Sequence, residues 1–89
     1  MSKEEAVEKA RKDMAQRLGV DPGEVTEISV EDVDFPDMAL GATTKGEMSG
    51  QMITPGWRIR LQAKGQSFEY RANKKQVRLY KYKGANLVI

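Results

Sequence analysis

The residues best suited to chemistry in this chain are arginines and tyrosines that alternate with other residues in its C-terminal half. Arg58 and Arg60 are separated by one residue, and the same spacing separates Tyr80 from Tyr82. A period of two places side chains on one face of a β-strand. Guanidinium groups contact phosphates and aromatic rings stack on bases, so such a face would suit a single-stranded nucleic acid. The candidate set is Arg58, Arg60, Arg71, Arg78, Tyr80 and Tyr82.

The same residues also have a purely structural interpretation, as the solvated face of a sheet. We expect Arg60 to lie opposite Glu69 on the neighbouring strand, where the two would form a cross-strand pair. Tyrosine is a favoured strand residue without any binding role. No sequence signature of a known nucleic-acid module accompanies the set. Both interpretations stay open.

A second candidate surface is the segment from about residue 36 to 56, which is rich in Gly, Thr and Met. It has the periodicity of neither helix nor strand, and loops longer than about 15 residues in a compact domain tend to be functional or disordered. Methionine adapts to varied surfaces, so Met48, Met52 and the adjoining Thr54 are candidates for contact with a protein or peptide. The alternative is a loop that only covers an open core. Thr54 to Gly56 are expected to form a rigid turn that directs Trp57 inward.

The chain has no histidine and no cysteine. Their absence removes the most common general base, the most common metal ligands and any disulfide. Glu31, Asp32, Asp34 and Asp37 lack the spacing of a calcium loop, and the glycines lack that of a phosphate-binding loop. We therefore expect no enzyme, no catalytic residue, no metal and no cofactor.

Composition favours a single domain that spans residues 1–89. Hydrophobic residues make up 39% and charged residues 31%, as in soluble globular proteins. The net charge of +2 is well below that of a dedicated DNA-binding surface. Acidic residues predominate before residue 38 and basic residues after it. No apolar segment resembles a signal peptide or a membrane span, so a cytoplasmic location without membrane contact is expected.

A helix is expected to begin at the N-terminus, because Ser2 and Glu5 have the spacing of a capping box. Gly19 is suited to the left-handed position that ends a helix. Between these signals, apolar residues recur every three or four positions and form one stripe for burial. The stripe consists of Val7, Ala10, Met14 and Leu18.

The rest of the chain has the alternation of strands. Ile28 and Val30 occupy even-numbered positions, whereas Val33 and Phe35 occupy odd-numbered ones, so the alternation of apolar residues shifts by one. Such a shift predicts a bulge near Glu31 and Asp32 or a bent strand. Further strands are expected from Trp57 to Ala63, from Phe68 to Ala72 and around Val77 to Leu79, with turns at Lys64–Gly65 and Asn73–Gln76. These turn lengths predict Ile59 beside Tyr70 and Leu79 on the inner face, and Arg58 beside Arg71 and Arg78 on the outer face, with Tyr82 on the outer face as well.

The predicted fold is therefore α+β, with one N-terminal helix packed on a four-stranded antiparallel sheet. Leu87 and Ile89, in the apolar segment GANLVI, must also be buried. They could extend the sheet, cover the core or form a homodimer contact, and a sheet edge is another candidate for a homodimer.

The chain resembles a family of small uncharacterised bacterial proteins in several short motifs. These are FPD, Leu40-Gly41, TPGWRIRL and FEYR, and they follow a helix that ends in Leu18-Gly19-Val20. The resemblance extends from about Ala10 to Arg71. This sequence differs from the family at Ala42, where the family often has Cys. It also lacks the secretory leader that many members have. The resemblance implies a domain but no activity.

The order of elements is also similar to the cystatin-like and PepSY-like arrangements, in which a helix lies across an antiparallel sheet. That topology places the long loop and the Asn73–Gln76 turn at the same end of the sheet. Cystatins insert this end into protease clefts, but their Gln-x-Val-x-Gly loop and Pro-Trp turn are absent here. The leading hypothesis is a non-enzymatic module that binds protein or peptide through the 36–56 loop or a sheet edge. The alternatives are single-stranded nucleic-acid binding by the Arg/Tyr face and protease inhibition by analogy of fold.

Overall fold

The computed structural model describes residues 1–89 and consists of one helix and one antiparallel sheet. The sheet has five strands rather than the predicted four, in the order β1-β2-β3-β4-β5, so each strand pairs with the next one along the chain. The elements are α1 (Lys3–Leu18), a short 3-10 turn (Pro22–Glu24), β1 (Thr26–Phe35), β2 (Thr54–Ala63), β3 (Gln66–Ala72), β4 (Val77–Tyr82) and β5 (Ala85–Val88). No helix has both the length and the apolar character needed to cross a membrane.

Both predicted ends of α1 are confirmed. The Ser2 hydroxyl accepts a hydrogen bond from the Glu5 backbone N–H at 3.1 Å, and the Glu5 carboxylate accepts one from the Ser2 N–H at 2.8 Å. Gly19 ends the helix with a φ of 69°, a conformation that glycine adopts without steric cost. The buried face packs on the sheet and consists of Ala6, Val7, Ala10, Met14 and Ala15.

The predicted register of the central strands is also confirmed. Ile59 lies opposite Tyr70, and Tyr70 lies opposite Leu79, on the face that α1 covers. Trp57 packs against the edge of this core and remains partly exposed. These residues reach the core because a continuous period of two along three strands places every second side chain on one face.

The interpretation of β1 requires a correction. Its register is continuous from Ser29 to Phe35, and the irregularity lies earlier, between Glu27 and Ser29. The predicted bulge near Glu31 and Asp32 is therefore wrong. The parity of the apolar residues changes because β1 contributes to two apolar clusters: Val30, opposite Ile59, faces the helix, whereas Phe35 faces the other side of the sheet.

The segment of residues 36–53 lies over this other side of the sheet, and we call it the covering loop. Phe35 and three residues of the loop are fully buried there, apart from the main core. The loop residues are Ala39, Leu40 and Ala42. The sheet is therefore covered by the helix on one face and, in part, by the covering loop on the other.

Thr54 to Gly56 form the start of β2 rather than the predicted turn, and they pair with Phe35, Asp34 and Val33. Gly56 is required by close packing. A Cβ atom at this position would lie 3.1 Å from the ring of Phe35 and closer still to the carbonyl oxygen of Ala72. The predicted direction of Trp57 is nevertheless retained, because strand alternation alone turns it toward the helix side.

The C-terminal segment extends the sheet as β5, which was one of the three alternatives. A turn at Lys83 and Gly84, with φ values of 50° and 83°, leads into β5, and Leu87 and Ile89 pack against the core. The β4–β5 register shifts between Leu79 and Tyr82, where Lys81 has a φ of 47°.

This irregularity places Tyr82 beside Phe68, with ring centroids 6.0 Å apart, and against the main core on the helix side. The prediction that Tyr82 lies on the outer face is therefore wrong.

Candidate functional site

The covering loop is held by side chains of the sheet that donate hydrogen bonds to its backbone carbonyl groups. A loop without regular structure needs such partners, because its buried polar groups cannot reach water. The four donors come from the Asn73–Gln76 turn, β3, β4 and β5. The bonds run from Gln76 to Met38 (2.8 Å), from Arg71 to Leu40 (3.1 Å), from Arg78 to Ala42 (3.2 Å) and from Asn86 to Thr43 (2.8 Å).

Arg78 anchors the middle of the loop. Its side chain forms two parallel hydrogen bonds with the Glu47 carboxylate, each 2.6 Å long, and its Nε donates to Gln76 at 2.7 Å. Arg78 is only 6% exposed. The hydrogen bonds from Arg78, with that from the Thr44 backbone N–H, lower the pKa of Glu47 to about 2. Glu47 is therefore ionised at neutral pH, which balances the charge of the buried guanidinium.

Arg71 is enclosed in a similar way. Its guanidinium lies 3.6 Å from the centre of the Tyr80 ring, in the geometry of a cation–π contact. Its Nε also donates to Glu69 at 2.9 Å. Glu69 also forms ion pairs with Arg58 and Arg60, whose Nε atoms lie 3.4 Å and 3.9 Å from its carboxylate oxygens.

The proposed Arg/Tyr binding face is therefore not one open surface. Arg71 and Arg78 lie under the covering loop, and Tyr82 lies on the opposite face of the sheet. Arg58 and Arg60 remain partly exposed, but both share the Glu69 carboxylate. The predicted Arg60–Glu69 pairing is confirmed by the register, which places the two residues directly opposite each other.

A groove lies at one end of the sheet, where the β1–β2 pair extends past β3. The last β2–β3 pair is Trp57 with Ala72, whereas β2 continues to pair with β1 as far as Thr54. The Asn73–Gln76 turn lies beside the projecting strands, and the Met38 carbonyl accepts from Gln76 across this end. The loop and the turn therefore do meet at the same end of the sheet.

The groove has a volume of about 730 Å³, and its lining combines apolar side chains with polar and charged ones. Pockets that bind ligands occupy roughly 300–1,000 Å³. Three apolar side chains that line it are open to solvent: Ile53 is 69% exposed, Met52 63% and Met38 50%. Val33, Pro55 and Trp57 complete the apolar part. A run of exposed apolar side chains beside a concave surface is typical of an interaction site.

Two of the predicted loop residues, Met52 and Thr54, line this groove. Met48 does not line it, although it is 97% exposed. Sequence reasoning missed Asp34, Lys74 and Lys75 as groove residues. The available signal was that the loop and the Asn73–Gln76 turn share one end of the sheet, which brings these distant residues together. No group of three or more acidic side chains is placed to hold a metal ion.

The model of one protein family, described as a domain of unknown function (DUF8738), matches residues 7–80. The match runs from within α1 to β4 and includes the covering loop and the Asn73–Gln76 turn. No curated protein and no solved structure matches the chain.

Proposed function

The chain belongs to the DUF8738 family of domains of unknown function, and we propose that it is a small non-enzymatic module that binds an extended segment of a partner protein in the groove. The observation that carries this proposal is the exposure of Met38, Met52 and Ile53 along one concave surface. Burial of such side chains by a partner would gain about 25 cal/mol per Å² of apolar area removed from water.

The backbone beside the groove favours an extended peptide. β3 ends opposite Trp57, so Thr54 and Pro55 of β2 have a strand neighbour on the β1 side alone, whereas Gly56 packs closely against the Ala72 carbonyl group. An extended segment commonly binds beside such an unpaired strand, where main-chain hydrogen bonds supply affinity and pockets supply specificity. The methionines can adjust their rotamers to different apolar side chains of a partner.

Single-stranded nucleic acid is the weaker alternative. It depended on a continuous row of arginines and tyrosines, and the covering loop occupies the part of that row around Arg71 and Arg78. A guanidinium that already has a carboxylate partner contributes little to phosphate binding unless that partner leaves. A mobility shift of a labelled oligonucleotide at low salt would test this alternative directly.

The peptide proposal is tested by panning random peptides displayed on phage against the wild-type protein and against Ile53→Glu. Ile53 is exposed, so the variant should fold. An apolar ligand would, however, bury the carboxylate that the substitution introduces, which is unfavourable. We expect peptides selected on the wild type to bind Ile53→Glu at least about tenfold more weakly, a loss of about 1.4 kcal/mol. Binding is measured by the fluorescence of Trp57, the single tryptophan, which lines the groove.

Met48→Glu is the matched control, because Met48 is also apolar and is still more exposed but lies outside the groove. It should bind the selected peptides as the wild type does. Equal loss of binding in both variants would contradict a site in the groove, as would failure to select any peptide.

A further inference from the structure

The two walls of the groove carry opposite charges. Asp32 and Asp34 project from β1 on one wall, and Lys74 and Lys75 project from the Asn73–Gln76 turn on the other. All four residues are exposed. No ion pair within 4.0 Å joins the two walls, so the charges face the groove without neutralising each other.

The basic wall is held in place. The Asn73 side chain accepts hydrogen bonds from the backbone N–H groups of Lys75 (2.8 Å) and Gln76 (3.1 Å), and the Asn73 N–H donates to the Gln76 carbonyl at 3.0 Å. The Gln76 side chain donates to the Met38 carbonyl on the covering loop. Lys74 and Lys75 therefore extend from a closed turn, and neither forms an ion pair within the chain.

The acidic wall belongs to β1, where pairing with β2 holds the backbone. Asp32 lies opposite Trp57 and Asp34 lies opposite Pro55. Asp32 also forms an ion pair with Lys3 at 3.1 Å, whereas Asp34 forms none. Asp34 is thus the carboxylate of this wall that has no ion-pair partner within the chain.

From this arrangement we infer that the groove selects a peptide segment in which an apolar core separates a basic residue from an acidic one. The inference rests on the proposed function and adds the charge pattern of the partner. The basic residue of the segment lies against Asp34, the apolar core contacts Ile53 and Trp57, and the acidic residue lies against Lys74 and Lys75. Opposite charges placed in this way set the register of a bound segment and disfavour partners of another pattern.

The inference is tested with four blocked hexapeptides that share the core Ser-Leu-Phe-Ser and differ at their ends. The end pairs are Lys/Glu, Lys/Lys, Glu/Glu and Gln/Gln. An exposed ion pair contributes about 0.2–1 kcal/mol, so we expect the Lys/Glu peptide to bind about 1.4- to fivefold more tightly for each favourable end. The same titration is repeated with the double variant Lys74→Glu/Lys75→Glu, which should prefer the Lys/Lys peptide. High salt should reduce the preference of the wild type and that of the double variant.

The outcomes separate the two proposals. A preference for Lys/Glu that changes to Lys/Lys in the double variant supports the inference. Equal binding of all four peptides, or an unchanged preference in the double variant, overturns the charge pattern and leaves peptide binding intact. If no peptide changes the fluorescence of Trp57, both proposals are overturned. A concentration-dependent dimer that is lost in Ile53→Glu would assign the groove to a second copy of the chain and would also overturn the inference.

Discussion

At the scale of single residues, Arg78 shows how a charged side chain can serve the fold. A buried guanidinium is costly unless each of its donors has an acceptor. In Arg78, Nε donates to Gln76, Nη1 to Ala42 and Glu47, and Nη2 to Glu47. All three nitrogens are thus used inside the protein. The residue type that suggested phosphate binding in the sequence instead connects a strand to the covering loop.

The Glu47–Arg78 pair predicts a specific dependence of stability on pH. The pKa of Glu47 is about 2 in the folded protein, against an ordinary value of 4.5. Because the folded pKa is the lower one, the contribution of the pair is complete above about pH 4.5 and is lost as the pH falls toward about 2. Glu47→Gln should therefore lower the urea midpoint at pH 6, and its difference from the wild type should shrink between pH 4.5 and 2.

Glu31→Gln provides the control for this measurement, because Glu31 is exposed and forms no ion pair. Its midpoint should follow that of the wild type at both ends of the range. A gap between Glu47→Gln and the wild type that stays constant with pH would contradict the assignment of the ion pair.

At the scale of elements, the covering loop divides into two parts. Residues 36–47 contain the buried Ala39, Leu40 and Ala42 and the anchor Glu47, so this part functions as a layer of the fold. Residues 48–53 contain no buried residue, and Met52 and Ile53 in this part line the groove. The first part therefore mainly covers the sheet, and the binding surface consists of Met38 from that part together with Met52 and Ile53 from the second.

Two substitutions of a large apolar residue in the same loop test this division. Leu40 is fully buried, so Leu40→Ala should lower the free energy of unfolding by about 2–5 kcal/mol. Met48 is almost fully exposed, so Met48→Ala should change it by less than about 0.5 kcal/mol. Chemical denaturation measures both values. Similar effects of the two changes would show that the loop does not form a second buried layer.

At the scale of the whole molecule, a part-buried hydrogen bond from a core tyrosine joins the helix to the sheet, in addition to the exposed Lys3–Asp32 ion pair. The Tyr70 hydroxyl, in the middle of β3, donates to the Asp13 carboxylate of α1 at 2.7 Å. Asp13 also accepts from Arg17 at 2.8 Å. Burial, together with the hydrogen bond to Asp13, raises the pKa of Tyr70 well above its usual value, so the hydroxyl keeps its proton. This bond helps to fix the orientation of α1 over the sheet.

Removal of this hydroxyl should destabilise the protein without changing its fold. Tyr70→Phe keeps the ring in the core but removes the hydrogen bond, and we expect a loss of about 1–2 kcal/mol in the free energy of unfolding. Tyr80→Phe is the matched control, since the Tyr80 ring contacts Arg71 but its hydroxyl makes no hydrogen bond within the chain. Thermal or urea denaturation gives both values. An equal loss in the two variants would contradict a tether through Asp13.

The parts of the fold that follow from neighbouring residues were predictable from the sequence. The capping box at Ser2 and Glu5, the Gly19 end of α1 and the turn at Lys64 and Gly65 depend on local hydrogen bonds and local dihedral angles. The register of β2 to β4 follows from those turns and from strict alternation. The position of Phe35 could not be predicted, because a period of two tells which side chains share a face but not what covers that face.

The groove was determined by the tertiary structure alone. Asp34, Ile53 and Lys74 are distant in sequence and become neighbours only when β1 pairs with β2 and the β3–β4 turn closes beside them. The face of Arg71 and Arg78 was likewise occupied by a loop whose path has no periodic signal. The helix, the central strands and the absence of histidine and cysteine chemistry thus follow from the order of the residues. Which surfaces stay open follows from the folded arrangement, because exposure depends on contacts between segments far apart in the chain.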